Sequence, residues 1–167
     1  MNEKKVISRA LEELGAKPSK SEEHGLALLG DDDVFVFCPG VSSGGFAEIR
    51  MAMKNSERSV VATTIDEEGI GQVKKNISTL GLEDKIDIKL EDLRKRLPYD
   101  DNSFDFIYAR LVLHYLSMQD LEDVLSEFHR VAREGGRLFI VVRSTENVNY
   151  EDELVGYEDD TRLTTEV

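Results

Sequence analysis

The sequence predicts an α/β fold: a doubly wound, mostly parallel sheet with helices on both faces. Three observations carry that prediction. Short apolar runs of strand character alternate with stretches whose apolar residues recur at helical spacing. Glycines stand where several of the helical stretches run out. The chain has 167 residues and is 40% hydrophobic, enough for one domain with a single core and too apolar for a disordered chain.

The elements follow in order. Residues 4–14 place Val6, Ile7, Ala10, Leu11 and Leu14 on one helical face, with Gly15 after them. A polar stretch leads to Gly25–Leu29 and the acidic turn Asp31–Asp33. Val34–Phe37 is a continuous apolar run, the mark of a buried parallel strand. It breaks into CPGVSSGG and resumes as a helix with Phe46, Ile49 and Met53 on one face. Ser59–Thr64 reads as strand two, and Glu67–Leu80 as a helix with Ile70, Val73, Ile77 and Leu80 aligned and Gly81 behind it. Lys85–Leu90 alternates as strand three, and Phe104–Ala109 is strand four after the turn PYDDNS. Ser117 caps a helix predicted over Met118–Glu134, striped by Leu121, Val124, Leu125, Phe128 and Val131. Gly135–Gly136 is expected to end that helix, with Leu138–Val142 as strand five.

In open parallel sheets, ligands sit beyond the carboxyl ends of the strands at a topological switch point. That rule brings CPGVSSGG, Thr64–Glu67, Glu91–Leu93 and Tyr108–Tyr115 around one crevice. Charge narrows the ligand. The chain holds 34 acids against 21 bases, a formal net charge of −13, which opposes approach to phosphate backbones. Eight acids and one base lie in residues 146–167, so that segment supplies −7 of the total. The basic residues Lys85, Lys89 and Arg94–Arg96 are interleaved with Asp84, Asp87, Glu91 and Asp92, and nucleic acid is disfavoured as a partner. The single cysteine, Cys38, excludes an intramolecular disulfide. His24 and His129 have no partners at metal-ligand spacing, so no metal is expected. No run reaches bilayer length, and MNEKKVISRALEELG lacks the apolar stretch of a signal peptide, which makes the cytoplasm the expected location.

The stretch LPYDDNSFDFIYARLVLHYL, followed by LSEFHRVAREGGRLFIVV, resembles the second half of a class I S-adenosylmethionine-dependent methyltransferase of the small-molecule type. The earlier order of strand, glycine loop, helix, strand and helix ending in KKNISTLGL fits the same plan. The resemblance spans roughly residues 26–143. It implies a Rossmann-like fold with a C-terminal strand pair that is reduced or absent here. It also implies a methyltransferase-like domain over 1–145, of which 1–25 form an N-terminal helix and linker, and an acidic segment over 146–167. The implied cofactor is S-adenosylmethionine, held by the loop Cys38, Pro39, Gly40 and Ser42, by Thr64 or Asp66 at the ribose, and by Asp92, Leu93 and Tyr108.

The chain departs from that pattern in its first half. Val36 stands at the acid position, Cys38 at the first glycine and Ser42 near the third, and only Gly40 is in place. Thr64 occupies the ribose-acid position, with Asp66 the nearest carboxylate. Cys38 is therefore expected to put a side chain where backbone should approach the ligand, and cofactor binding is expected to be weak or lost unless Ser42–Gly45 supply new donors. As a nucleophile Cys38 competes with its reading as a small core residue. His114 is the candidate general base, Tyr115 flanks it, and Arg110 is the candidate holder of an anionic substrate. YARL, rather than an NPPY-like tetrad, ends strand four, which speaks against amino methylation of nucleic acid. Methyl transfer to a small molecule is the leading function. The alternative is a catalytically inactive relative that acts as a binding or assembly subunit, and a nucleotide-binding oxidoreductase fits least. Few residues follow strand five, so its edge is expected to be open, closed by a second subunit or a partner chain.

Overall fold

A computed structural model describes residues 9, 11, 12 and 16–143. In chain order it contains α1 (Lys20–Leu28), β1 (Phe35–Pro39), a 3₁₀ turn (Ser43–Gly45), α2 (Phe46–Lys54), β2 (Ser59–Thr64), α3 (Gly69–Thr79) and β3 (Ile86–Leu90). These are followed by β4 (Phe104–Arg110), a second 3₁₀ turn (Leu113–Tyr115), α4 (Met118–Val131) and β5 (Ala132–Val141). The strands form one sheet in the order β3-β2-β1-β4-β5, and every pairing is parallel. The chain winds outward from β1 to β3, then crosses back to β4 and β5. The switch point thus lies between β1 and β4.

β1 runs through the middle of the sheet, and its alternation divides the core. Val36 and Cys38 face one layer, with α2 and α3 supplying Ala47, Ile49, Met51, Val73 and Ile77. Phe37 faces the other, against Phe104, Ile107, Val124, Phe128 and Val131. Burying a side chain such as Phe37 contributes about 1.5–3 kcal/mol. On this second side α4 is the one helix among the described residues. The rest of the cover comes from the crossing segment after β3, through Leu93 and Leu97.

The base of the sheet, opposite the crevice, is held by charge. Arg58 is fully buried and donates to three carbonyls, of Gly30 at 2.6 Å, Asp33 at 2.7 Å and Met51 at 3.1 Å. Asp105 accepts the amides of Val34 and Phe35 at 3.1 and 2.8 Å and pairs with Arg133 at 2.7 Å. It thereby closes the start of β1 onto β4 where the backbone ladder has not yet begun.

Two boundaries differ from the sequence expectation. α1 was hidden in the polar stretch before Gly25; Ser19 caps it by accepting the Glu22 amide at 3.3 Å. α4 stops at Val131, and β5 begins at Ala132 rather than Leu138. Gly135–Gly136 is therefore not a helix end but an irregularity inside β5, where the register to β4 shifts between Phe104 and Phe106. A Cβ on Gly136 would lie 2.8 Å from the Arg133 carbonyl, so only glycine fits the fold-back. Of the helix expected over 4–14, Arg9, Leu11 and Glu12 are described and are helical. The rest of it lies outside the described residues, as do the acidic segment 146–167 and the short strand expected at 161–167. Along β5, Leu138 and Ile140 are exposed, and β4 is its one strand neighbour among the described residues. Among those residues, too, no helix is long and apolar enough to cross a membrane.

Candidate functional site

A cavity of about 830 Å³ opens above the carboxyl ends of β1, β2 and β4, at the switch point, within the range usual for small-molecule sites. Its floor is the loop after β1. Gly40 adopts φ +87°, and this left-handed turn lets the amides of Gly40 and Val41 both donate to the Thr63 carbonyl, at 3.0 and 2.9 Å. A Cβ at Gly40 would meet Val112 Cγ2 at 2.9 Å. The loop is then pinned from below. Glu48, fully buried on α2, accepts the Ser42 amide at 3.0 Å and the Ser42 hydroxyl, while Ser42 Oγ accepts the Ala47 amide at 3.0 Å. Burial raises the Glu48 carboxyl above its ordinary range, and the Ser42 hydrogen bonds oppose that rise. From the side, Asn76 of α3 donates to the Gly44 carbonyl at 2.9 Å.

Thr64 and Asp66 line the opposite wall. Thr64 Oγ1 accepts the Asp66 amide at 3.0 Å. Asp66 Oδ1 accepts the amides of Glu68 and Gly69 at 3.0 and 2.8 Å, which starts α3, and Oδ2 remains available as an acceptor. Next to them Thr63 is fully buried, and its hydroxyl has no hydrogen-bond partner among the described residues. Asp92 and Leu93 form the third wall. Asp92 is bound by both sides of the Arg94 fork, at 2.9 Å from Nε and 2.8 Å from Nη2. The Arg94 hydrogen bond holds its carboxyl below the usual range. At the mouth stand Arg110 and Tyr115, with Leu111 in the left-handed region at φ 55°.

The crevice therefore gathers Gly40, Ser42, Thr64, Asp66, Asp92, Leu93, Arg110 and Tyr115. Cys38, Pro39, Tyr108 and His114 do not line it. Cys38 is fully buried with Sγ 3.7 Å from Met51 Sδ, because strand alternation turns it onto α2 and away from the ligand side. The expectation that it crowds the backbone approach is corrected on that ground. Burial keeps it a thiol, its pKa raised well above normal. Tyr108 is buried in a stack on Phe139, ring centroids 5.2 Å apart. His114 packs its ring against Tyr115, centroids 4.2 Å apart.

Sequence reasoning missed Thr63, Gln72, Arg94 and Asp120 in the walls, whereas Glu91 and Val112 fall in the segments it brought to the crevice. Thr63 carried a legible signal, since a second hydroxyl at the end of strand two is adjacent to the predicted ribose position. Gln72 carried none, because only the turn of α3 brings it in.

A family model described as "Methyltransferase domain" matches residues 38–140, well over half of the chain. Methyltransferase GfsG of Streptomyces halstedii is 41% identical over 75 residues, covering 43% of this chain and 26% of that protein. The geranyl diphosphate C-methyltransferase of Streptomyces coelicolor A3(2), solved with S-adenosyl-L-homocysteine, has a TM-score of 0.58 at 19% identity. That match covers 70% of this chain and 39% of the other. The [4+2]-cyclase SpnF reaches a TM-score of 0.63 at 22% identity, covering 86% and 49%. Likeness at such identity shows the fold alone. The matched regions take in between about a quarter and a half of each of these proteins. The family match, the all-parallel switch-point sheet and the glycine loop agree: the chain belongs to the methyltransferase domain family, of the class I S-adenosylmethionine-dependent type.

Proposed function

We propose that the crevice binds S-adenosylmethionine and that the chain directs its methyl group to a small-molecule acceptor. The observation that supports this reading most is the Thr63 hydroxyl, buried in the crevice wall with no protein partner among the described residues. An orphaned buried hydroxyl costs about 1–3 kcal/mol, and a ligand's polar group would satisfy it. The donor set fits the cofactor. The Gly40–Gly44 backbone is free of side-chain crowding from Cys38. Thr64 Oγ1 and Asp66 Oδ2 offer acceptors for ribose hydroxyls, and Asp92 beside Leu93 offers an acceptor next to an apolar surface for the adenine.

When bound, S-adenosylmethionine supplies a methyl group on a positively charged sulfur, open to attack by an acceptor nucleophile. The residues of this chain hold both partners in line and keep water out. Tyr115, Val112 and Leu116 at the mouth give the apolar wall for that exclusion. Placement carries the rate in this reading, and no residue is assigned as general base.

Calorimetric titration with S-adenosylmethionine and S-adenosylhomocysteine, with NAD as control, tests the proposal. Micromolar binding of both sulfur ligands, and none of NAD, is the expected result. Absence of heat at millimolar ligand would overturn it. Tight binding would also remove the inactive-subunit alternative, which rested on Val36 and Thr64 at the acid positions and on Cys38 and Ser42 at glycine positions.

A further inference from the structure

The mouth of the crevice holds a cation whose hydrogen bonds are arranged around two hydroxyls rather than a carboxylate. Arg110, at the end of β4, donates from Nε to Ser21 Oγ at 2.9 Å and from Nη2 to Ser19 Oγ at 2.7 Å. It forms no ion pair among the described residues, whereas the other crevice arginine, Arg94, is closed onto Asp92. Of the two acids in the first turn of α1, Glu22 pairs with Arg50 at 2.6 Å and Glu23 is exposed, while in the crevice wall Asp120 accepts the Ser117 hydroxyl at 2.7 Å.

The hydroxyls themselves add to the positive character. Ser19 Oγ already accepts the Glu22 amide as the N-cap of α1, and the two serine oxygens share one proton at 3.2 Å. One hydroxyl proton, both protons of Arg110 Nη1 and one of Nη2 are left without a protein acceptor among the described residues. The group sits at the positive end of α1, a nine-residue helix. A guanidinium with no ion pair among the described residues and with N–H donors left over makes a place for an anion with two oxygens in one plane, the partner that a guanidinium fork matches best.

The geometry points to an acceptor that carries a carboxylate or a phosphate, bound through Arg110 with Ser19 and Ser21 fixing the plane of the fork. This rests on the methyl-transfer reading of the same crevice and names the substrate class for it. Arg110 binds substrate here; Ser19 and Ser21 are positioning residues, which aim the guanidinium and do not line the cavity.

The test reads the Arg110 side chain directly. The Nε–H resonance of Arg110, assigned by its loss in Arg110→Gln, is followed by NMR in protein saturated with S-adenosylhomocysteine. Sodium benzoate, inorganic phosphate, benzamide and sodium chloride are titrated in turn at constant ionic strength. A saturable shift at millimolar benzoate or phosphate, about tenfold tighter than any effect of chloride and absent with benzamide, is expected. Whichever of the two anions binds tighter names the source of the charge. In Ser21→Ala the same titration is expected to need about tenfold more anion, which a purely structural role for that hydroxyl would not produce. No shift with either anion, or an equal shift with chloride or benzamide, overturns the proposal. The reading beneath it is scored separately: failure of the unmodified protein to bind S-adenosylhomocysteine removes the methyl-transfer function, while the anion titration, repeated on the ligand-free protein, still decides the Arg110 site.

Discussion

Glu48 lies fully buried beneath the crevice loop, where its two oxygens take the amide and the hydroxyl of Ser42. Burial raises its carboxyl pKa, so the folded chain binds the proton more tightly than the unfolded one, whose value is about 4.3. The sign follows: stability falls as pH rises from that unfolded value through the raised folded value. Glu48→Gln keeps an oxygen for the Ser42 amide and removes the titration. Its stability relative to the parent is expected to climb as pH rises above the unfolded value of about 4.3 in urea unfolding. Glu48→Ala leaves a cavity and an unpaired amide, and is expected to cost about 2–4 kcal/mol. Gly40 argues the same loop from the backbone. Alanine there would have to hold φ +87° and press on Val112 at 2.9 Å. A loss of about 1–3 kcal/mol and weaker S-adenosylhomocysteine binding are expected by thermal melt and calorimetry. At this scale the sequence was half legible. Gly40, Ser42 and Asp92 lie on loops right after strands, and Thr64 ends one, so strand direction places them. Cys38 was legible as a small core residue and is one, but its expected crowding of the crevice was not, because one residue of strand phase decides whether its thiol enters the crevice or the core. Glu48, a charged residue in an amphipathic helix, looks solvent-facing until the loop above it is known.

The elements were legible where an apolar period was unbroken, and illegible where polar atoms set the boundary. β2, α3 and β4 fall within two residues of their predicted bounds, since their alternation or stripe runs to their ends. α1 has too few apolar residues to show a stripe, and its start depends on Ser19. The α4–β5 junction misled for a local reason: a Gly-Gly pair reads as a helix stop, yet here it makes the bulge that lets β5 start early beside Phe104. The start of α4 is the well-marked case. Ser117 Oγ accepts the Asp120 amide at 3.1 Å and binds the Asp120 carboxylate at 2.7 Å. Ser117→Ala removes that cap and is expected to cost about 1 kcal/mol, or roughly 2–4 °C in melting temperature for a chain of this size. Ser117 also lines the crevice. The same variant with S-adenosylhomocysteine bound therefore separates helix capping from ligand contact: a ligand-induced stabilisation equal to the parent's assigns the whole loss to the cap.

At the scale of the molecule, the switch point that makes the crevice also creates a structural demand. The chain leaves β3 at one edge and must cross β2 and β1 to reach β4, and it does so over residues 91–103 without a helix. Alternating α and β elements in the sequence predicted the sheet, yet gave no account of this crossing, whose apolar content is only Leu93, Leu97 and Tyr99. Arg130 of α4 supplies what the crossing lacks. Its guanidinium donates to the carbonyls of Leu97 and Tyr99 at 3.0 and 2.7 Å, to Asp101 at 2.9 Å and to Glu127 at 2.7 Å. Glu127 in turn accepts the Leu97 amide at 2.9 Å. The hydrogen bond from Arg130 is the main reason that the Glu127 carboxyl falls to about 2. A depressed folded value means stability that is present above the unfolded value near 4.3 and is lost as pH falls through about 2. Because the Glu127 side chain is 21% exposed, solvent screens part of the pairing, and its share is about 1–2 kcal/mol. Urea unfolding between about pH 5 and 2.5 is expected to show that loss in the parent and a shallower slope in Glu127→Gln. Equal slopes would mean that the crossing is held by the Arg130–carbonyl bonds alone. If the crossing also seats Asp92 and Leu93, the acid loss is expected to weaken S-adenosylhomocysteine binding before global unfolding, whereas a crossing independent of the crevice would leave that affinity flat until the chain unfolds.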